Sequence, residues 1–160
     1  MAAVMAASGV LAVLSALRAA GVTAWGDGGW GIDALLGTTT REHSDLDLVV
    51  LMPELSSVRA TLSDIGFGIV LRDWLPAALA VADQASNEVD LHPISPDGIG
   101  GGHQELPDGG RFYYPRPVVG EIDGVVVDCV DATTQVLAHQ GYTPTEKDLA
   151  DLLLLRSLTD

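Results

Sequence analysis

Apolar side chains recur three and four positions apart in several stretches of the chain, which is the spacing of one face of an α-helix. This pattern predicts a buried N-terminal helix that ends at Gly21 and a helix over 54–65 that ends at Gly66. Further helices are predicted over 30–37, 132–140 and 144–158.

Shorter apolar runs bounded by turn residues predict strands. These strands span 22–25, 45–52, 67–74, 78–84, 88–94, 111–115, 118–122 and 125–130. The segment 96–110 is rich in glycine and proline and is predicted to be a loop. Helices and strands are mixed along the chain, without a repeat or a linker. We therefore expect one domain over 1–160 with an α/β (α+β) fold, in which helices pack on a mixed sheet.

The charge balance limits the partners that this chain can bind. It carries 22 acidic and 8 basic residues, a net charge of −14. A nucleic-acid binder normally presents a basic face, for which few residues are available here, so no nucleic-acid partner is expected. An acidic surface suits a cationic partner or a divalent metal, and it also keeps a protein soluble.

The N-terminal segment and the cysteine count bear on location. No Lys or Arg precedes Arg18, so the segment lacks the basic start of a secretory signal, and it is short for a membrane span. Cys129 is the only cysteine, which excludes an internal disulfide and favours a reducing compartment. We expect a cytoplasmic protein with no membrane partner. Its small size and long apolar stretches are compatible with a homodimer.

Two carboxylates stand at the start of an apolar strand. Asp45 and Asp47 alternate with leucines, so they project to one face while the leucines project into the core. They repel each other unless a divalent cation lies between them. If the strand that holds Asp90 is a neighbour, three carboxylates converge, which suits Mg²⁺ or Mn²⁺. The alternative is a turn cap at Asp45 and edge-strand charges at the other two positions.

The glycine-rich segment 26–31 matches G-x-G-x-x-G, the dinucleotide-binding pattern. The acid of that pattern belongs at the end of the second strand, whereas Asp47 stands near the start of its strand, and later parallel βαβ units are missing. The pair Gly28-Gly29 before a helix either lets backbone N–H groups approach an anion or forms a plain tight turn. Both interpretations remain open at this point.

The stretch 27–50 resembles the nucleotidyltransferase superfamily, in its branch of small antibiotic-modifying enzymes. The matching positions are Gly28, Gly29, Trp30, Asp33, Gly37, Thr40, Arg41, His43, Asp45 and Asp47. The tail 139–155 is also similar, with Gly141, Tyr142, Lys147, Asp148 and Asp151 at family positions. The resemblance implies a polymerase-beta-like nucleotidyltransferase fold. It also implies transfer of a nucleoside monophosphate, usually AMP from ATP, to a hydroxyl group with release of pyrophosphate.

The resemblance also implies metal ligands and a general base. Asp45 and Asp47 would hold two Mg²⁺ ions. Asp90 would complete one metal site and take the proton from the attacking hydroxyl. Two such ions can stabilise an in-line displacement at phosphorus.

The nucleotide contacts follow from the same resemblance. Gly28 and Gly29 would contact the triphosphate through backbone N–H groups. Arg41 would pair with phosphate, and His43 would lie beside the polyphosphate. Lys147, the only lysine, would reach the nucleotide, or else form a salt bridge on its helix.

The acceptor is the least determined part of the function. The resemblance favours a cationic lincosamide or aminoglycoside antibiotic, and the aromatic residues Trp74, Phe112, Tyr113 and Tyr114 are candidate pocket walls or core residues. His92 is two positions after Asp90 and faces the same side. Two alternatives remain: a D-x-D glycosyltransferase that uses Mn²⁺ and a nucleotide sugar, and a catalytically degenerate member that binds nucleotide or a partner protein.

Overall fold

A computed structural model describes residues 4–140 and 143–159. In these residues the helices are α1 (Ala7–Ala19), α2 (Gly28–Leu36), α3 (Leu55–Asp64), α4 (Ala132–Ala138) and α5 (Glu146–Thr159), with a 3₁₀ turn at Met52–Glu54. The strands are β1 (Ala24–Asp27), β2 (Asp45–Leu51), β3 (Ile69–Trp74), β4 (Ala78–Ala82), β5 (Glu88–Pro96), β6 (Gly102–Glu105), β7 (Arg111–Tyr114), β8 (Val118–Ile122) and β9 (Val125–Cys129). Two residues of the family-like tail, Gly141 and Tyr142, lie outside the described residues. No helix described here is long and apolar enough to cross a membrane.

The sheet is mixed, in the order β3-β4-β5-β2-β1-β9-β8, and β6 and β7 extend from the end of β5. β2 is central: it pairs antiparallel with β1 and parallel with β5. The antiparallel pairing of β1 and β2 excludes a parallel βαβ unit around the glycine-rich segment. The dinucleotide-binding interpretation is therefore wrong, and the mixed sheet with packed helices is confirmed.

The two faces of β2 have different neighbours. Leu46, Leu48 and Val50 are fully buried in the main core, together with residues from α1, α2 and α3. Val49, on the opposite face, belongs to a smaller apolar cluster that includes Tyr114 of β7. Since side chains alternate along a strand, Asp45 and Asp47 share the face of Val49, as the sequence pattern predicts.

The prediction that 96–110 is a loop is wrong at its centre. Residues 102–105 form β6, which pairs with β7 and with the end of β5. A Cβ atom at Gly102 would collide with the carbonyl oxygen of Ser95, so glycine is required for this approach. The sequence GHQE has little intrinsic strand preference, and only the neighbouring strands make it extended.

We predict that Gly120→Ala destabilises the protein. Gly120 lies on β8 where the strand crosses α2, and an added Cβ would stand 2.5 Å from the carbonyl oxygen of Ala34. Overpacking of this kind typically costs about 1–3 kcal/mol of unfolding free energy. Gly9→Ala is the matched control, because a Cβ there meets only Met5 at 3.6 Å and alanine favours the helix by about 0.5–1 kcal/mol. Urea unfolding should therefore show opposite shifts, and equal midpoints would contradict this packing.

Candidate active site

Three carboxylates converge on the face of the sheet that carries Val49. Parallel pairing of β2 and β5 places Asp47 directly beside Asp90, and Asp45 lies two residues before Asp47. One oxygen from each of the three lies within 4.8 Å of the others, and all three side chains are half-buried. The predicted convergence is confirmed. An all-carboxylate set of oxygen donors fits a hard divalent cation such as Mg²⁺.

The site belongs to a row of side chains that crosses five strands. Asp27 of β1 is opposite Asp47 of β2, which is opposite Asp90 of β5. The row continues to Ala80 of β4 and Arg72 of β3. Because Ala80 is small, Arg72 reaches across β4, and its Nη2 lies 3.3 Å from Asp90 Oδ1. The Arg72 guanidinium therefore balances part of the negative charge from the β3 end of the row.

Arg72 has two further contacts near the site. Its guanidinium pairs with Glu88 and lies 5.7 Å from the ring centroid of Trp74. Neither Arg72 nor Glu88 is among the site residues predicted from the sequence. The alternation rule used for Asp45 and Asp47 would have identified Glu88, since it lies two residues before Asp90 on the same strand. No sequence pattern indicated Arg72, because its approach to Asp90 depends on the order of β3, β4 and β5 in the sheet.

The crowding of carboxylates changes their proton affinities. Burial, hydrogen bonds with Glu88 and Asp45, and repulsion from Asp47 raise the pKa of Asp90 to about 9. Burial and then repulsion from Asp47 also raise the pKa of Asp45, while the nearby Lys147 charge opposes the shift. Without a cation, these surroundings therefore favour the protonated form of Asp90. A bound divalent cation would favour the ionised carboxylates instead.

The two glycines at the start of α2 are required by the side chains packed against them. Gly28 has φ +58°, and a Cβ there would collide with Asp47 Oδ2. A Cβ at Gly29 would collide with His43 Nδ1 and lie 3.1 Å from Arg41 Nη2. The first turn of α2 thus lies directly against the carboxylates, which places its partial positive charge at the site.

His43 belongs to a buried polar cluster behind this helix start. Its Nε2 lies 2.6 Å from Asp33 Oδ2, and its ring is 4.9 Å from the ring of Trp30. Asp33 also accepts a hydrogen bond from Thr40 Oγ1 at 2.6 Å. These contacts join α2 to the segment before β2, so His43 borders Gly29 from the protein interior. A contact between His43 and phosphate stays a prediction.

The C-terminal helix α5 reaches the site through charged residues. Arg41 Nη2 donates to Asp151 Oδ2 at 3.1 Å. The guanidinium that is predicted to bind phosphate is thus paired with a carboxylate in this structure. Lys147 of α5 is exposed and close enough to Asp45 to influence its pKa. The contact of Lys147 with the nucleotide or the site stays a prediction.

The aromatic candidates for the acceptor pocket divide into two groups. Tyr114 is buried in the smaller apolar cluster, and Phe112 packs against this cluster, so both side chains belong to the protein interior. Trp74 is 61% exposed and borders a cavity of about 90 Å³ beside Asp90 and His92. Tyr113 is exposed and donates to Asp97 Oδ2 at 2.8 Å.

Taken together, the mixed sheet, the carboxylates on adjacent strands and the glycine pair at a helix start define a nucleotidyltransferase domain. The model of the aminoglycoside-2''-adenylyltransferase family matches residues 9–155, and the chain belongs to this family. The predicted enzyme class, an adenylyltransferase of the antibiotic-modifying branch, is confirmed. The glycosyltransferase alternative is therefore wrong.

Individual relatives agree with this assignment. A lincosamide resistance protein of Staphylococcus haemolyticus is 34% identical over 140 residues, which cover 86% of each chain. The crystal structure of the lincosamide antibiotic adenylyltransferase LnuA with lincomycin is 29% identical, with a TM-score of 0.85 over 97% of this chain and 99% of that one. ANT(2'')-Ia in complex with adenylyl-2''-tobramycin is 20% identical, with a TM-score of 0.75 over 96% and 89% of the two chains, and shows the shared fold.

The raised pKa of Asp90 predicts how stability depends on pH without metal. Its pKa in the folded protein is about 9, against an ordinary value of 3.8, so the folded state binds the proton more tightly than the unfolded state. In EDTA the free energy of unfolding should fall as the pH rises from about 4 to about 9. Mg²⁺ should restore stability at the upper end of this range.

Asp90→Asn tests this assignment by thermal unfolding across the same pH range. The variant should lose much of the pH dependence in EDTA and much of the gain from Mg²⁺. Asp128→Asn is the control, since it removes one acidic charge from the exposed face of β9. Equal pH profiles for the wild type and Asp90→Asn would show that Asp90 does not hold the proton.

Proposed function

We propose that this protein transfers AMP from ATP to a hydroxyl group of a lincosamide antibiotic and releases pyrophosphate. The observation that carries the proposal is the convergence of Asp45, Asp47 and Asp90 beside the first turn of α2. The lincosamide is favoured over other acceptors by the similarity to the lincosamide resistance protein and to LnuA. An aminoglycoside is the second candidate, because the family model that matches the chain is that of aminoglycoside-2''-adenylyltransferases.

Two Mg²⁺ ions, when bound, would neutralise phosphate charge and polarise the phosphoryl group that is transferred. We assign both ions to Asp45 and Asp47, and one of them also to Asp90. The donor set supports this assignment, since Mg²⁺ prefers carboxylate oxygens. The three carboxylates repel one another without a cation, so the same residues provide the driving force for metal binding.

The triphosphate is assigned to the surface between α2 and α5. Backbone N–H groups at Gly28 and Gly29 would donate to phosphate oxygens, where no side chain intervenes. Arg41 would pair with phosphate, in place of or in addition to its contact with Asp151. Lys147 would add a second positive charge from α5. His43 would support this surface from behind through its contact with Gly29.

In the reaction, the acceptor oxygen forms a bond to the α-phosphorus of ATP. The bond from that phosphorus to the bridging oxygen of pyrophosphate breaks, and pyrophosphate leaves with the bond electrons. We assign the proton of the acceptor hydroxyl to Asp90. Its position supports this role, because it lies beside Asp47 on the neighbouring strand and Arg72 holds its carboxylate in place.

The acceptor is assigned to the surface beside Asp90, where the small cavity between Arg72, Trp74 and His92 would hold one part of the molecule. The exposed ring of Trp74 offers an apolar wall for a drug-sized molecule. The net charge of −14 would attract a cationic antibiotic. We place the reaction in the cytoplasm, where ATP is available. A homodimer stays a prediction that analytical ultracentrifugation can test.

The proposed reaction is tested by pyrophosphate release with ATP and Mg²⁺ in the presence of lincomycin or tobramycin. Mass spectrometry should find lincomycin heavier by one AMP group. Asp90→Asn should lose turnover on the order of 10²-fold or more, because proton transfer is lost while ATP binding is largely kept. Asp128→Asn should react like the wild type. Modification of tobramycin alone would favour the second candidate, and ATP binding without transfer to either drug would favour the degenerate-member alternative.

A further inference from the structure

A chain of polar side chains leads away from the half-buried Asp47, through the half-buried His92, to the buried Gln104. His92 Nε2 lies 3.1 Å from Asp47 Oδ1, and His92 Nδ1 lies 3.3 Å from Gln104 Nε2. Gln104 is 7% exposed and belongs to β6, inside the segment that the sequence pattern predicts to be a loop. His92 also borders the cavity assigned to the acceptor, whereas Gln104 has no role in the reaction assigned above.

The backbone of Ala77 fixes the orientation of the Gln104 amide. Gln104 Nε2 lies 2.7 Å from the carbonyl oxygen of Ala77, which can only accept a hydrogen bond. Gln104 Oε1 lies 3.4 Å from the hydroxyl of Tyr114, whose single hydrogen also has Asp27 Oδ2 as an acceptor at 3.3 Å. The Ala77 contact therefore places the amide nitrogen, with its two hydrogens, on the side of His92.

This orientation determines the tautomer of His92. The first hydrogen of Gln104 Nε2 goes to Ala77, so the second is directed at His92 Nδ1. Nδ1 accepts this hydrogen only if it carries none of its own, which leaves the single ring hydrogen on Nε2. Nε2 therefore donates to Asp47 Oδ1. The other oxygen of Asp47, Oδ2, is directed towards Gly28 at the start of α2.

We propose that Gln104 is a positioning residue: it holds His92 as the Nε2–H tautomer, and His92 in turn orients the Asp47 carboxylate for metal binding. The proposal rests on the proposed function in so far as Asp47 is taken as a metal ligand. Partners that orient a metal ligand in this way typically contribute 10–100-fold to metal affinity or activity. The buried amide thus acts on the metal site without touching the metal or the substrates.

The tautomer is measured directly by NMR of the ring nitrogens of His92 in ¹⁵N-labelled protein without metal, at a pH where the ring is neutral. The signal is assigned by its loss in His92→Gln. We expect one tautomer in the wild type, with the hydrogen on Nε2. A hydrogen on Nδ1, or an equal mixture, would overturn the proposal without the use of any Gln104 variant.

Gln104→Met removes the amide but keeps a side chain of similar length. We expect the nitrogen signals of His92 to shift towards a mixture of tautomers and the Mg²⁺ affinity, measured from the rise in thermal midpoint, to weaken about tenfold. Gln135→Met is the matched control, since Gln135 is also buried and its Nε2 also donates to a backbone carbonyl, that of Val130, at 3.1 Å. The control should keep the wild-type signals and affinity.

The His92→Gln background separates positioning from general stability. A glutamine at 92 retains an N–H donor for Asp47 but has no tautomers, so Gln104→Met should cost little further Mg²⁺ affinity there. An equal loss in both backgrounds would overturn the proposal. Asp47→Asn tests the underlying assignment: unchanged Mg²⁺ affinity in that variant would contradict the metal role of Asp47 in the proposed function, whatever the tautomer of His92.

Discussion

Repulsion among carboxylates on neighbouring strands is the constraint around which this structure is organised. Asp27, Asp47 and Asp90 stand side by side on β1, β2 and β5, and Asp45 lies two residues from Asp47. Such a row is unfavourable unless positive charge compensates for it. The compensation comes from several directions: Arg72 across the small Ala80, Lys147 from α5, and the first turn of α2. A divalent cation would complete it.

The close approach of α2 to the carboxylates explains the glycine pair. A side chain at Gly28 or Gly29 would displace Asp47 or His43, so the glycines are required by packing as well as by any phosphate contact. The buried contact of His43 with Asp33 holds the same helix from behind. The site therefore has closely packed neighbours on both sides, which is the arrangement that precise placement of reacting groups requires.

Without metal, the crowding of carboxylates that favours cation binding also destabilises the folded protein. Burial and mutual repulsion raise the pKa of Asp90 to about 9, which means that the ionised site is destabilised in the folded protein. The same repulsion favours a cation when one is present. Arg41 is in a similar position at the surface assigned to the triphosphate. Its guanidinium pairs with Asp151 in this structure, so this carboxylate would compete with phosphate for the same positive charge.

The local pattern of the sequence determined the main elements and part of the site. Alternation of Asp45 and Asp47 with Leu46 and Leu48 defined which face of β2 is polar, because side-chain direction in a strand depends only on position. The resemblance of residues 27–50 supplied the enzyme class. Strand order and register were decided by the tertiary structure, since they depend on which surfaces pack together. Only this packing made residues 102–105 a strand, carried Arg72 across Ala80 to Asp90, and placed Gln104 behind His92.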